Sequence, residues 1–157
     1  MAATPEFTAE ERNLLVRLPR WIVAAAIAAH PDSAAKARQE ANNGFLAVAN
    51  GRRLGNPVLA DIAAEALKVF DEGTASSGVD PATPQGSETI LQYARMGVGF
   101  LRAKAEPVDA SAYRRWLLAI TDDVITDIRA IGGVHVHPDQ KAFRERLADI
   151  TRSAPPA

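Results

Sequence analysis

The fold of this chain is decided by an apolar stretch near its N-terminus, Trp21-Ile22-Val23-Ala24-Ala25-Ala26-Ile27-Ala28-Ala29. A helix on a protein surface carries polar residues on its outer face, whereas this stretch is apolar on every side. It therefore predicts a helix buried at the centre of the protein. Its alanines let neighbouring helices approach closely, and the turn His30-Pro31-Asp32-Ser33 ends it.

The residues before this stretch predict a separate, short helix. Thr8 and Glu11 have the spacing of a capping box, in which each side chain accepts the backbone N–H of the other. Pro19 follows, and a proline inside a helix removes a backbone hydrogen bond. We therefore expect the chain to break or kink at Pro19. The apolar stripe of the short helix consists of Leu14, Leu15 and Leu18.

Caps and apolar periodicity predict five more helices after the turn. Ser33 caps the first of them, and Asn56-Pro57 opens the second with an N-cap followed by proline at the first helical position. Gly73 ends that second helix. Residues 74–86 replace the apolar pattern with glycine, proline and small polar residues, which predicts one long loop.

The remaining helices are predicted to begin at Ser87, at Asp109 and at the turn before Pro138. Gly132 and Gly133 can take the left-handed conformation that closes the second of these helices. Residues 1–7 and 152–157 are expected to fray. The helix that is predicted to begin at Asp109 has the strongest apolar stripe. Its members are Tyr113, Trp116, Leu117, Ile120, Val124, Ile128 and Ile131.

Length and composition suit one globular domain. The chain has 157 residues, of which 47% are hydrophobic, and this is enough for a substantial core. Only Val134-His135-Val136 alternates with the period of a strand. The sequence therefore predicts an all-α, single-domain bundle over residues 1–157, with six or seven helices around the central apolar helix.

Charge and cysteine content exclude several classes of function. Eighteen basic and nineteen acidic residues give a formal net charge of −1, so no general field attracts nucleic acid or anionic lipid. The absence of cysteine excludes disulfides, thiolate metal sites and a cysteine nucleophile. The chain lacks a signal-peptide pattern and an apolar run of roughly 20 residues. We expect a cytoplasmic protein that binds neither nucleic acid nor membrane.

The sequence offers one candidate metal site, at the turn before the last helix. His135 and His137 alternate with valines, so both imidazoles face the same way if the turn is extended. Two neutral imidazoles bind zinc, copper or nickel when carboxylates join them. The candidate carboxylates are Asp123 and Asp127, spaced one helical turn apart, and Asp139 just beyond Pro138.

A structural role explains the same residues. His137 can occupy the N-cap of the last helix, and Asp139 favours a helix N-terminus electrostatically. The aspartates of the preceding helix then form a solvated face. His30 stands at the end of the central helix, where a cation is favourable against exposed carbonyls.

Known catalytic patterns are missing from the sequence. It contains no Glu-x-x-His pair, no Gly-x-Ser-x-Gly elbow and no Gly-x-x-x-x-Gly-Lys phosphate loop. The serines stand at predicted helix starts, where capping explains them. The sequence therefore favours a non-enzymatic protein without a cofactor.

Several segments together resemble a family of small, uncharacterised, all-helical bacterial proteins. They are Phe7-Thr8-Ala9-Glu10-Glu11, the apolar helix, Tyr113-Arg114-Arg115-Trp116-Leu117-Leu118 and Gly132-Gly133-Val134-His135-Val136. More distantly, the turn before the last helix is similar to that of tellurite-resistance TerB-like helical domains. In that family, an aspartate in the turn and a glutamate in the next helix are linked with divalent cations. Here Gly132 and Gln140 stand in their places.

These observations lead to one preferred function and one alternative. The preferred function is a non-enzymatic intracellular protein that acts by binding a protein partner or by self-association. The alternative is a metal- or small-ligand-binding protein that uses the turn with His135 and His137. An enzyme of unrecognised type is a third hypothesis, which a pocket of convergent polar groups would support.

Overall fold

Six α-helices make up the fold in the computed structural model, which describes residues 4–129 and 133–157. Two three-residue strands, β1 (Asp127–Arg129) and β2 (Gly133–His135), join the last two helices as an antiparallel hairpin. The prediction of an all-α bundle is confirmed. The helices are α1 (Ala9–Ala28), α2 (Ala34–Asn50), α3 (Pro57–Val69), α4 (Pro84–Lys104), α5 (Pro107–Ile125) and α6 (Pro138–Arg152).

Helix α1 lies at the centre of the bundle and contacts each of the other five α-helices. It contains the apolar stretch as far as Ala28, and also the residues before it, because the chain does not break at Pro19. The predicted separate first helix is therefore wrong. Proline at position 19 leaves the carbonyl of Leu15, four residues earlier, without its helical N–H donor. The buried hydroxyl of Tyr113 donates to that carbonyl at 2.8 Å.

Two predicted helix starts are too late in the sequence. Helix α4 begins at Pro84, and the hydroxyl of Thr83, rather than that of Ser87, accepts the backbone N–H of Gly86 at 3.0 Å. Thr83-Pro84 repeats the cap-and-proline arrangement of Asn56-Pro57. Because α4 begins at Pro84, the loop is shorter than the predicted range of residues 74–86. It contains a 3₁₀ turn at Ala75–Ser77.

Helix α5 also differs from its prediction at both ends. Glu106 precedes Pro107 as the N-cap, and Asp109 lies one turn into the helix, where its carboxylate accepts the Glu106 N–H at 3.1 Å. The helix ends at Ile125, because Thr126 is extended and its hydroxyl donates to the carbonyl of Asp122 at 2.6 Å. Ile128, which the sequence assigned to its stripe, lies in β1 instead, while Ile131 lies outside the described residues.

The hairpin changes the relation between two predicted metal ligands. Asp127 lies in β1, so it is not one helical turn from Asp123. Strand register instead pairs Asp127 with His135. Gly133 lies in β2, so it does not close a helix as predicted. Gly132, which has the same predicted role, lies outside the described residues.

The C-terminal tail packs against α4, although the sequence predicts that it frays. Ala154 is only 2% exposed, and the Arg102 guanidinium donates to the carbonyls of Arg152 and Ala154. The backbone N–H of Ala157 donates to the carbonyl of Gly99 at 3.0 Å. A Cβ at Gly99 would lie 2.6 Å from a backbone oxygen of the tail, so glycine is needed for this contact.

The apolar stripe of α5 fills the core as far as Val124. Trp116 is 1% exposed, as predicted, and its indole N–H donates to the carbonyl of Ala47 at 3.2 Å. Gly51 lies directly on the indole, since a Cβ there would be 2.6 Å from the ring. The indole therefore joins α5 to the end of α2.

We expect Trp116→Ala to lower the free energy of unfolding by about 3–5 kcal/mol, the usual cost of removing a large buried aromatic side chain. Arg115→Ala, at the exposed neighbouring position, should change it by less than about 0.5 kcal/mol. Urea unfolding of both variants measures the difference. If both variants lowered the free energy of unfolding by the same small amount, the indole of Trp116 would not support the core.

Candidate histidine site

All three histidines of the chain line one small cavity. The cavity has a volume of about 80 Å³ and lies where the ends of α1 and α5, the first turns of α2 and α6, and β2 meet. These elements are far apart in the sequence. The lining residues are His30, Asp32, Lys36, Glu40, Ile125, His135, His137 and Gln140.

The imidazoles of His30 and His137 stack face to face. Their ring centroids are 3.3 Å apart, and the ring planes differ by 11°. His30 is held just beyond α1, where its backbone N–H donates to the carbonyl of Ile27 at 3.3 Å. The stack therefore joins the end of α1 to the start of α6.

His137 is the N-cap of α6, in agreement with its predicted structural role. Its Nδ1 accepts the backbone N–H of Asp139 at 3.2 Å, and Pro138 occupies the first helical position. The Asp139 carboxylate oxygen Oδ2 lies 3.8 Å from the same nitrogen. Within the described parts of the chain, His30, His137 and Asp139 form a possible metal-ligand group, with one donor atom of each within 4.8 Å of the others.

A buried carboxylate forms another wall of the cavity. Glu40 is 3% exposed, and its Oε2 accepts a hydrogen bond from Nε2 of Gln140 at 2.8 Å. The same Gln140 nitrogen donates to the carbonyl of Ala26 at 3.1 Å, so one amide group connects α6 to α1 and α2. Burial raises the pKa of Glu40, although the Gln140 hydrogen bond and the charge of Lys36 act in the opposite direction.

The cavity brings together some of the predicted ligands and separates others. His135 and His137 both line it, and Asp139 lies beside His137. Asp123 is exposed on α5 and is not among the lining residues. The side chain of Asp127 lies outside what the structure describes.

Three possible metal ligands that line the cavity were not predicted from the sequence, namely His30, Asp32 and Glu40. His30 follows the buried helix directly, and this was the one available signal, because the end of a central helix must lie close to other elements. Glu40 gave no signal, since a single glutamate on an amphipathic helix is usually solvated.

Comparison with known proteins gives no relative: no family model, no curated protein and no solved structure matches this chain. Among the described residues, no helix combines the length and the apolar character that a membrane crossing requires.

Glu40→Gln should stabilise the metal-free protein at pH 7. Because burial raises the pKa of Glu40, the folded state binds a proton more tightly than the unfolded chain, and the ionised carboxylate destabilises the fold as the pH rises. The neutral amide retains an oxygen that accepts from Gln140. The gain in unfolding free energy should shrink as the pH falls and disappear below about pH 4.

Glu88→Gln is the matched control with the opposite sign. The hydrogen bond from Arg146 lowers the pKa of Glu88, so this carboxylate stabilises the fold at neutral pH and loses that effect in acid. Urea unfolding of both variants between about pH 3 and pH 7 makes the comparison. If Glu40→Gln were less stable than the parent protein at pH 7, burial would not destabilise the ionised carboxylate of Glu40.

Proposed function

We propose that this protein binds a divalent transition-metal ion in the histidine cavity. The observation that carries the proposal is the convergence of all three histidines on one cavity, with donor atoms of His30, His137 and Asp139 within 4.8 Å of one another. Two histidines on a turn are a weak indication of a metal site. His30 adds a donor that is remote in sequence, on the turn that follows α1. Because imidazole lone pairs lie in the ring plane, the stacked rings of His30 and His137 must rotate before both can bind one ion.

The donor set favours zinc or nickel over calcium or magnesium. Imidazole nitrogen and carboxylate oxygen suit Zn²⁺, Ni²⁺ and Cu²⁺, whereas Ca²⁺ and Mg²⁺ prefer oxygen ligands alone. A tetrahedral zinc site needs three or four donors. His30, His137 and Asp139 supply three, and His135 and Glu40 line the same cavity.

The N-cap role of His137 limits the affinity of the site. Since Nδ1 accepts the Asp139 N–H, the neutral ring carries its proton on Nε2. A metal ion must therefore displace either the capping bond at Nδ1 or the proton at Nε2. We expect the Asp139 carboxylate to join the coordination when the cap is displaced, because its oxygen is already 3.8 Å from Nδ1.

Binding to a protein partner or a second copy of the chain is the second candidate. It is supported by three large apolar side chains that are more than half exposed, namely Leu46 at 58%, Leu54 at 51% and Val108 at 60%. Single exposed apolar residues are normal on monomeric proteins, so this observation carries less than the histidine cavity. Sedimentation velocity over a range of protein concentrations tests it.

Calorimetric titration of untagged, chelator-treated protein with Zn²⁺ tests the metal site. We expect one ion per chain, and at least a tenfold loss of affinity in both His30→Ala and His137→Ser. Serine is at least as good an N-cap as histidine, so His137→Ser removes the donor while α6 retains its cap. Circular dichroism should show that this variant keeps its helix content.

Asp149→Asn provides the matched control. It removes one carboxylate from α6 at an exposed position, where Asp149 pairs with Arg152 outside the cavity. Its zinc affinity should equal that of the parent protein. The proposal is wrong if zinc does not bind, or if the two histidine variants bind it as tightly as the parent does.

A further inference from the structure

A groove between α3 and α5 shares no lining residue with the histidine cavity and has a volume of about 370 Å³. Leu59 and Trp116 are each 1% exposed and form its floor, whereas Leu54, Arg115 and Ala119 are exposed and form its rim. The lining residues are Leu54, Leu59, Ala112, Arg115, Trp116 and Ala119.

One face of α5 forms a side of this groove. Ala112, Trp116 and Ala119 follow one another at intervals of four and three residues, so they lie on the same face of the helix. The two alanines flank the indole and leave space that larger side chains would fill. Val108, one turn before Ala112, continues this face and is 60% exposed. The apolar surface therefore extends from the groove toward the start of α5.

A turn of defined conformation places Leu54 at the rim. It follows the 3₁₀ turn Gly51–Arg53, whose first residue packs on the Trp116 indole. Gly55 comes next with a φ of 82°, which glycine adopts without strain. Leu54 itself is 51% exposed, so the turn holds a large apolar side chain in solvent beside the groove. Small-molecule sites carry several convergent polar groups, whereas Arg115 is the one polar residue in this lining.

The charge around the groove is positive. Arg115 lines it, and Arg52 and Arg53 immediately precede Leu54. All three arginines are exposed, and none of them has a hydrogen bond or an ion pair in the part of the chain that the structure describes. Other arginines on the surface do pair with carboxylates of the chain, namely Arg12, Arg17, Arg144 and Arg146.

The acidic residues near the groove do not neutralise this charge. Among the described residues, no carboxylate lines the groove. Asp109 is 9% exposed and accepts the backbone N–H of Glu106, which is the N-cap of α5. Asp61 is exposed on α3 outside the lining, and Asp123 lies one turn beyond Ala119. The groove thus offers an apolar floor and unpaired positive charge on one side.

We propose that this groove binds an acidic amphipathic helix of a protein partner. Its apolar face packs on Trp116 and Leu54, and its carboxylates pair with Arg52, Arg53 and Arg115. A helix in a groove between two helices makes this kind of contact through apolar residues spaced three and four apart. The proposal rests on the second candidate function, binding to a protein, and is independent of the metal site.

Charge favours such a partner over a second copy of this chain. A two-fold symmetric interface brings the same surface of each copy together, so it would place the three arginines of one copy against those of the other. Like charges across an interface disfavour association. An acidic helix has the complementary charge instead.

A displayed library of helical peptides of about 15 residues tests the proposal, because isolated helices shorter than this are marginally stable. One face of each peptide carries leucines, and the other positions vary among glutamate, glutamine and lysine. Selection on the full chain should enrich glutamate. In calorimetric titration, the most enriched peptide should bind once per chain, and its affinity should fall as the salt concentration rises.

Leu54→Ser and Arg115→Glu should each lower the affinity for this peptide at least tenfold. Arg115→Glu should in turn bind the peptide with lysines in place of the glutamates more tightly than the parent protein does. Arg95→Glu is the matched control, because Arg95 is an exposed arginine on α4 that lines a different groove. It undergoes the same change of charge and should bind the acidic peptide normally.

Circular dichroism should show unchanged helix content in these variants, since each substitution is at an exposed position. Val108→Ser is the second apolar variant if Leu54→Ser does not fold. The proposal is overturned if glutamate is not enriched, if Arg95→Glu weakens binding as much as Arg115→Glu, or if the apolar variants bind normally. A dimer in sedimentation velocity that Leu54→Ser abolishes would also overturn it and would assign the groove to self-association, while Zn²⁺ binding stays a separate result.

Discussion

The fold depends on one buried hydrogen bond, from the hydroxyl of Tyr113 to the carbonyl of Leu15. Pro19 removes the helical donor that this carbonyl would otherwise have, and an unpaired buried carbonyl costs about 1–3 kcal/mol. A side chain of α5 replaces the missing backbone donor at the point where the two helices pack. The central helix therefore stays continuous across a residue that usually ends one.

Continuity of α1 determines where the functional groups lie. The helix begins at the Thr8–Glu11 capping box and ends just before His30, whose backbone N–H donates to the carbonyl of Ile27 in its last turn. Helix α6 then packs its N-cap histidine onto His30, and Gln140 ties it to the backbone of α1. The turn that follows α1 thus contributes His30 and Asp32 to the histidine cavity.

The parts of the fold that local chemistry determines could be predicted from the sequence. Apolar periodicity, the Thr8–Glu11 box and the Asn56-Pro57 start identified helices correctly, and the uniform apolar character of residues 21–29 identified the centre. The separate first helix before Pro19 was a wrong prediction, because the group that compensates for the proline is remote in sequence. The packed tail was missed for the same kind of reason, since its partner, Arg102, is also distant.

The candidate site could be predicted only in part. The turn with His135 and His137 is visible in the sequence, and so is the N-cap role of His137. The contribution of His30 and Glu40 depends on helix packing that brings α1, α2 and α6 together. No spacing rule relates residues on three different helices, so these groups became apparent only in the three-dimensional arrangement.

A double-mutant cycle between Pro19→Ala and Tyr113→Phe tests the central claim most directly. Alanine at position 19 restores a backbone N–H that can donate to Leu15, so the Tyr113 hydroxyl should then be dispensable. We expect Tyr113→Phe to cost about 1–3 kcal/mol of unfolding free energy in the parent protein and at least ~1 kcal/mol less in the Pro19→Ala background. Equal costs in the two backgrounds would contradict the claim that Tyr113 replaces the donor that Pro19 removes.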